Sequence, residues 1–317
     1  MFADDTKIFR EIKTEEDRKH LQDDLDKLQQ WSDTWLLKFH PNKCKVMSIS
    51  NKRLMEVTTT YYLHDQDGKP VELSRSEGEK DLGVMVDDKV NFDKHIQQQV
   101  NKANSIMGLI RRTYTFLDET SFRYLFQALV RPHLEYAEAV WSPFTKKDID
   151  TIEKVQKRAT KLIPSLKNMD YPNRLKKLKM PTLQYRRLRG DMIEVYKIIN
   201  GIYDHKVVTG FFELSDVEQT RGHNKKLRKL SCKINKRKNY FSNRVIDVWN
   251  NLPQEAVSAK SVKDFEIAID KHWENQEMKY NHNANIELKT GRKRSYTTQQ
   301  REDDKIEADK VVDGQRP

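Results

Sequence analysis

Apolar residues recur at helical spacing along most of this chain, and the runs rich in strand-forming residues fall before residue 90. Thr14-Glu15-Glu16-Asp17 has the form of a capping box, in which a hydroxyl and a carboxylate three residues apart satisfy each other's backbone N–H groups. Leu21, Leu25, Leu28, Trp35 and Phe39 follow at a 3.6-residue period, with Asp23, Asp24, Asp26 and Lys27 facing outward. That spacing predicts an amphipathic helix stopped by Pro41. Residues 6–10 read as a short strand ahead of it. Residues 45–50, 58–63, 71–73 and 82–86 read as further strands, with Asp65-Gln66-Asp67-Gly68 as a hairpin turn.

After residue 90 the pattern becomes helical. Asn91 is placed to cap a helix whose stripe is Phe92, Ile96, Val100, Ala103, Met107 and Ile110. Asp118 opens a second helix carrying Phe122, Leu125, Phe126 and Leu129, which Arg131-Pro132 should end. A short helix is expected over 134–141. A further one is capped by Thr145-x-x-Asp148, with Ile149, Ile152, Val155, Ala159 and Leu162 inward. Another carries Leu188, Met192, Val195 and Ile199, with Gly201 as its stop. A final pair spans 245–249 and 262–273, and from about Glu274 the polar sequence reads as disordered.

Charge changes the picture. Hydrophobic residues make up 36% of the 317 and charged ones 34%, so the core is modest and much of the chain must be solvated. The net charge is +11. A chain this basic attracts polyanions and releases counterions on binding them, which favours nucleic acid as partner over a merely solvated lysine-rich surface. A membrane is the rival, but no apolar run is long enough to span one. Two distant cysteines, Cys44 and Cys232, form no disulfide framework and no zinc finger. With no apolar leader after Met1, secretion is not expected, and nucleus or cytoplasm fits.

The basic residues concentrate in 221–244, where Lys225, Lys226, Arg228, Lys229, Lys236, Arg237 and Lys238 occur without one acidic residue and Tyr240 is interleaved. Such a run can track a phosphate backbone while an aromatic stacks on a base. A solvated basic linker and a nuclear-targeting run are equally compatible with it. His20, His40, His64 and Cys44 read as solvated surface rather than a metal site.

Asp4 and Asp5 carry the chemistry only through their setting. An aromatic, a small residue and two aspartates precede a β-run, a capped helix, Asn42-Lys43-Cys44 and a strand. Adjacent carboxylates on a tight turn can bind Mg²⁺ with substrate phosphates completing the octahedron. Phe2-Ala3-Asp4-Asp5 is similar to the aromatic-x-Asp-Asp motif of reverse transcriptases. Leu28-Gln-Gln-Trp31 through Leu37-Lys-Phe-His-Pro-Asn-Lys43-Cys44-Lys-Val-Met47 resembles the segment that follows it in jockey-like, LINE-type non-LTR retrotransposons. Lys80-Asp81-Leu82-Gly83-Val84, Arg131-Pro132-His-Leu-Glu-Tyr136 through Trp141-Ser-Pro143, and Tyr240-Phe241-Ser-Asn-Arg244 through Trp249-Asn-Asn-Leu252-Pro253 resemble later blocks in order.

The resemblance implies an RNA-directed DNA polymerase with template–primer RNA and DNA as partners. It implies Asp4 and Asp5 as catalytic, Mg²⁺-binding carboxylates and Lys43 as the acid that protonates departing pyrophosphate. Without it, Lys43 reads as an ordinary exposed lysine. Leu82 and Gly83 would lie in the primer-grip strand. The family's other catalytic aspartate, its fingers and its nucleotide pocket lie upstream of the Asp-Asp turn, so the chain is expected to be inactive alone. The expected architecture is α+β and predominantly helical. It comprises a truncated palm remnant (1–90), a helical thumb and connection (91–205), a basic helical C-terminal region (206–273) and a disordered tail (274–317). The alternative is a nonenzymatic remnant that binds nucleic acid or protein.

Overall fold

The computed structural model describes residues 6–49, 60–215, 222–232 and 234–288. Its fold is a mixed α+β one in which helix predominates, divided into two compact units, Met1–Asn91 and Phe92–Pro317.

The first unit is built around one amphipathic helix, α1 (Glu15–Trp35). Thr14 and Asp17 form the expected capping box, so the helix starts where the sequence places it. It ends earlier than expected, at Leu36 in the left-handed region with φ 56°. The three residues Pro41–Lys43 form a separate 3₁₀ turn, because Pro41 favours a helical first position but cannot continue a ladder. Residues 6–10 form no strand among the described residues.

The strands are short: β1 (Lys45–Val46), β2 (Tyr62–His64), β3 (Pro70–Glu72), β4 (Ser74–Arg75), β5 (Gly78–Asp81) and β6 (Val84–Asp87). They pair as three two-stranded sheets, β1 with β4 in parallel and β2 with β3 and β5 with β6 antiparallel. The β2–β3 hairpin turns where predicted. The Asp65 carboxylate accepts from the backbone of Asp67 and Lys69, and Gly68 supplies the positive φ of 74°. Tyr61, Leu63 and Leu73 are the buried centre, with Leu21, Leu25, Phe39, Cys44 and Val46 packed on it.

The second unit begins with α2 (Asp93–Thr113), whose buried residues include Ile96, Val100, Ala103, Met107 and Ile110, as the 3.6-residue stripe predicts. Asn91 is not its cap. Phe92 takes that position with φ 61°, and Asn91 instead donates its backbone N–H to the Asp87 carboxylate within the first unit.

Helix α3 (Glu119–Leu125) starts at the predicted cap, Asp118, which accepts from Ser121 N. It does not stop at Arg131-Pro132. A π turn over Phe126–Val130 widens the ladder, with Arg131 donating to Phe126, and the chain runs on as α4 (Arg131–Glu135). A widened turn ahead of Pro132 accommodates the ring and the missing N–H that would break a regular helix. Ala137, with φ 53°, then separates α4 from α5 (Glu138–Trp141).

Next come α6 (Lys146–Ala159), capped by Thr145, then α7 (Tyr171–Leu178) and α8 (Leu183–Ile199), with Gly201 at φ 67° beyond its end. Short helices follow: α9 (His205–Val208), α10 (Asn235–Asn239), α11 (Phe241–Arg244), α12 (Ile246–Trp249) and α13 (Gln254–Val257). The last long one is α14 (Val262–His272).

Residues 91–205 and 206–273, read from the sequence as separate regions, share one core. Met192 and Val195 of α8 cluster with Leu227, Trp249, Leu252, Phe265 and Trp273. Tyr196 stacks on Phe265 with ring centroids 4.5 Å apart, and Tyr185 meets Trp273 edge-on at 5.9 Å. Nor does order end at residue 274. Met278 is buried and Ala284, Ile286 and Leu288 pack on the same core, while Thr182 caps α8 and donates its hydroxyl to Met278 O. Isolated apolar residues in a polar sequence gave no periodic signal, yet each finds a place on a surface already formed.

His95 on α2 is 1% exposed and meets Trp141 edge-on at 5.1 Å. Burial, helped by Lys102, lowers its pKa from 6.5 to about 4. Below pH 6.5 the unfolded chain takes up a proton that the folded chain refuses. Stability should therefore fall from pH 6.5 to about 4, by roughly 3 kcal/mol in full. Thermal melts across that window should show the decline, and His95→Leu should flatten it.

Candidate nucleic-acid interface

The basic segment is laid over the C-terminal core by side chains that the sequence marks only as charges or amides. Trp249 is fully buried and its indole donates to Lys225 O at 2.8 Å. Asn250 holds Leu227 at both ends, accepting from Leu227 N and donating to Leu227 O at 2.8 Å each. His223, 3% exposed, contacts Trp249 O at 2.9 Å, and burial lowers its pKa. These contacts fix 223–227 as a strap over Trp249 rather than a free linker.

Folding spends part of the charge that looked unopposed. Lys225 Nζ donates to Asn200 Oδ1 at 2.6 Å and is half-buried, so it serves packing. Lys226 is half-buried, with its ammonium end close to Gly222. Arg228 pairs with Glu213 at 3.3 Å, and Lys229 with Asp247. Both pairs are exposed, so each is worth little energetically, but each lowers the local positive potential. Arg244 is committed to the interior, where it meets Asp191 at 3.0 and 2.8 Å.

The remaining candidates lie on α10 and at the residue that follows it. Arg237 is exposed and lies 5.3 Å over the ring of Tyr240, itself 47% exposed. Lys236 and Lys238 are half-buried beside it. A guanidinium on an exposed phenol is one arrangement that can meet a phosphate and a base together. Of the predicted set, Arg237 and Tyr240 are thus brought together at the surface, with Lys236 and Lys238 half-buried on the same helix, and Lys225 is diverted into structure.

The catalytic assignments fall differently. Asp4 and Asp5 lie outside the described residues. Lys43 closes the 3₁₀ turn with its backbone, donating to His40 O at 2.9 Å, and its side chain is exposed. Leu82 and Gly83 are not in a strand. They are the two-residue turn joining β5 to β6, with φ 45° and 88°. Positive φ at both central residues is what a tight hairpin demands, and Gly83 meets it without strain. Among the described residues no group of three or more His, Cys, Asp or Glu is placed to hold a metal ion. No helix of the described residues is long and apolar enough to cross a membrane.

No protein-family model and no solved structure matches the chain. It is similar to an uncharacterized protein of Caenorhabditis elegans, 28% identical over 126 residues. That stretch is 39% of this chain and 64% of the worm protein, less than two thirds of the relative's length.

The sequence reading missed an ionic layer along α8, exposed at Asp270 and buried at Asp191. Arg186 chelates Glu135, Arg189 meets Asp270 at 2.6 and 2.9 Å, and Asp191 meets Arg244. Arg187 is 4% exposed, and two of its nitrogens make no hydrogen bond, although Glu153 and Glu138 lie close enough to favour its charge. Glu153 accepts from Tyr171 Oη at 2.5 Å and from Leu183 N at 3.0 Å. One signal was available. Arg186, Arg187 and Arg189 crowd the first turns of a helix whose apolar stripe runs through Leu188 and Met192.

Proposed function

We propose that this chain is the nucleic-acid-binding C-terminal part of an RNA-directed DNA polymerase from a jockey-like mobile element, and that alone it holds template and primer without extending them. The observation that carries the reading is the ordered series of sequence blocks, from Phe2-Ala3-Asp4-Asp5 to Trp249-Asn-Asn-Leu252-Pro253, on a chain of net charge +11. The exposed Arg237–Tyr240 pair at the end of α10 supports the binding half of it. Asp4 and Asp5 would hold Mg²⁺, whose chemistry when bound is to neutralise charge on the transferring phosphate. Leu82 and Gly83, at the tip of the β5–β6 hairpin, would approach the primer.

The test is to incubate the full chain with a DNA primer annealed to an RNA template, all four deoxynucleotides and Mg²⁺. A shifted hybrid with no lengthened primer is the expected result. Extension would overturn the binding-only half of the reading. Absence of a shift at low salt would overturn the whole.

A further inference from the structure

A second surface of the helical unit carries more uncommitted charge than the basic segment does. Lys154, Lys157, Arg158 and Lys161 fall within about two helical turns, all exposed, opposite the buried Ile152, Val155 and Ala159 of α6. Helix α7 packs against the end of that stripe. Arg174, 2% exposed, donates to Thr160 Oγ1 at 2.9 Å and to Lys157 O at 3.1 Å. Lys176 on α7 and Lys179 just beyond its end are exposed, while Leu175 and Leu178 are buried.

None of these six cations makes an ion pair among the described residues. Of the nearby acids, Glu153 is buried, Asp170 caps α7, Asp150, four residues before Lys154, faces His282 at 3.5 Å, and Glu119 pairs with Lys177 at 3.0 Å. That last pair fastens α7 to the first turn of α3. Just ahead of it, in the loop from α2, Phe116 is 82% exposed. On α3, Tyr124 is 64% exposed with Arg123 lying 5.8 Å over its ring. A phenylalanine so open contributes nothing to the core and costs solvation.

We infer that the α6–α7 lysine face and the Phe116 loop beside it form a binding site for single-stranded nucleic acid, the cations following the phosphates and Phe116 stacking on a base. Charge complementarity selects a polyanion, and the exposed aromatics favour a strand whose bases are unpaired. The inference rests on the nucleic-acid-binding reading but places the contact on α6 and α7 rather than at 225–240.

The experiment is fluorescence anisotropy of a labelled oligouridylate with the full chain, against Lys157→Ala/Lys161→Ala/Lys176→Ala, Phe116→Ala and Arg237→Ala/Lys238→Ala variants. The replaced side chains are solvent-facing apart from the half-buried Lys238, and thermal melts confirm that each variant folds. The triple variant should bind at least tenfold more weakly, with a salt slope smaller by about 2, the effect of three lost phosphate contacts on a single strand. Phe116→Ala should weaken binding about five- to tenfold or more, as a lost stack does.

Wild-type binding that the triple variant leaves unchanged would overturn the inference while sparing the proposed function. A blunt duplex bound more tightly than the single strand, with Phe116→Ala silent, would overturn the single-strand assignment. Capture of polyglutamate but not the oligonucleotide would overturn both readings and make the face an acidic-protein site.

Discussion

Replacing Arg244 with alanine is expected to destabilise the helical unit by about 3–5 kcal/mol, the usual cost of leaving a buried charge without its partner. The side chains of Asp191 and Arg244 are 5% and 14% exposed. Two nitrogens of Arg244 bind the Asp191 carboxylate, and the guanidinium also donates to Asn239 O at 3.3 Å and Ala139 O at 3.1 Å. One side chain therefore ties α8 to α10 and to α5. Burial already raises the pKa of Asp191, with Arg244 the main opposing influence. Without Arg244 the carboxylate must stay protonated or drag in water. Urea unfolding at neutral pH measures the loss. Replacing both partners, Asp191→Leu with Arg244→Met, should recover most of it, because an apolar pair needs no counter-charge. A loss under about 1 kcal/mol for Arg244→Ala would show that water satisfies Asp191 and that the pair is not interior.

Glu138→Gln is expected to stabilise the protein at alkaline pH and to leave it nearly unchanged near pH 4. Glu138 stands at the start of α5 against Gly190, where a β-carbon would overlap its Oε1, and its Oε2 is shut off from water without a hydrogen bond. Burial, reinforced by the charges of Glu135 and Asp191 and opposed by Arg187 and Arg186, pushes its pKa from 4.5 to about 8. The folded chain then keeps a proton that the unfolded chain has released. Stability from this group is complete below pH 4.5 and declines as pH rises toward 8. At roughly 1.4 kcal/mol for each tenfold change in proton affinity, the full decline is on the order of 5 kcal/mol, with His95 acting in the opposite sense below pH 6.5. Melts from pH 5 to 9 should show wild type and Glu138→Gln diverging. Parallel curves would mean that Glu138 is ionised in the folded state.

Periodicity and capping chemistry carried most of the helical architecture. Thr14, Asp118 and Thr145 cap helices where local spacing places them, because a cap needs only partners two or three residues away. Long-range pairing was not legible in the same way. The 221–244 run contains no acidic residue, yet Glu213, Asp247 and Asp191 reach it from elsewhere in the fold. Counting charge along the chain thus overstated the free positive surface there. Leu82 and Gly83 show the complementary failure. Val84, Met85 and Val86 favour a strand, but only backbone geometry reveals that the two residues ahead of them form the turn. The face of α6 and α7 was overlooked because its lysines are spread over 26 residues and become neighbours only when Arg174 joins the two helices.

The most direct test of the central claim is the affinity of the full chain for a primer–template hybrid, measured at ionic strengths from 50 to 200 mM. Binding through phosphate contacts predicts a linear fall of log K with log salt, reaching about a thousandfold across that range if six or more phosphates are held. Affinity that does not change with salt, or no binding at 50 mM, would contradict the account and leave the positive charge as solvation alone.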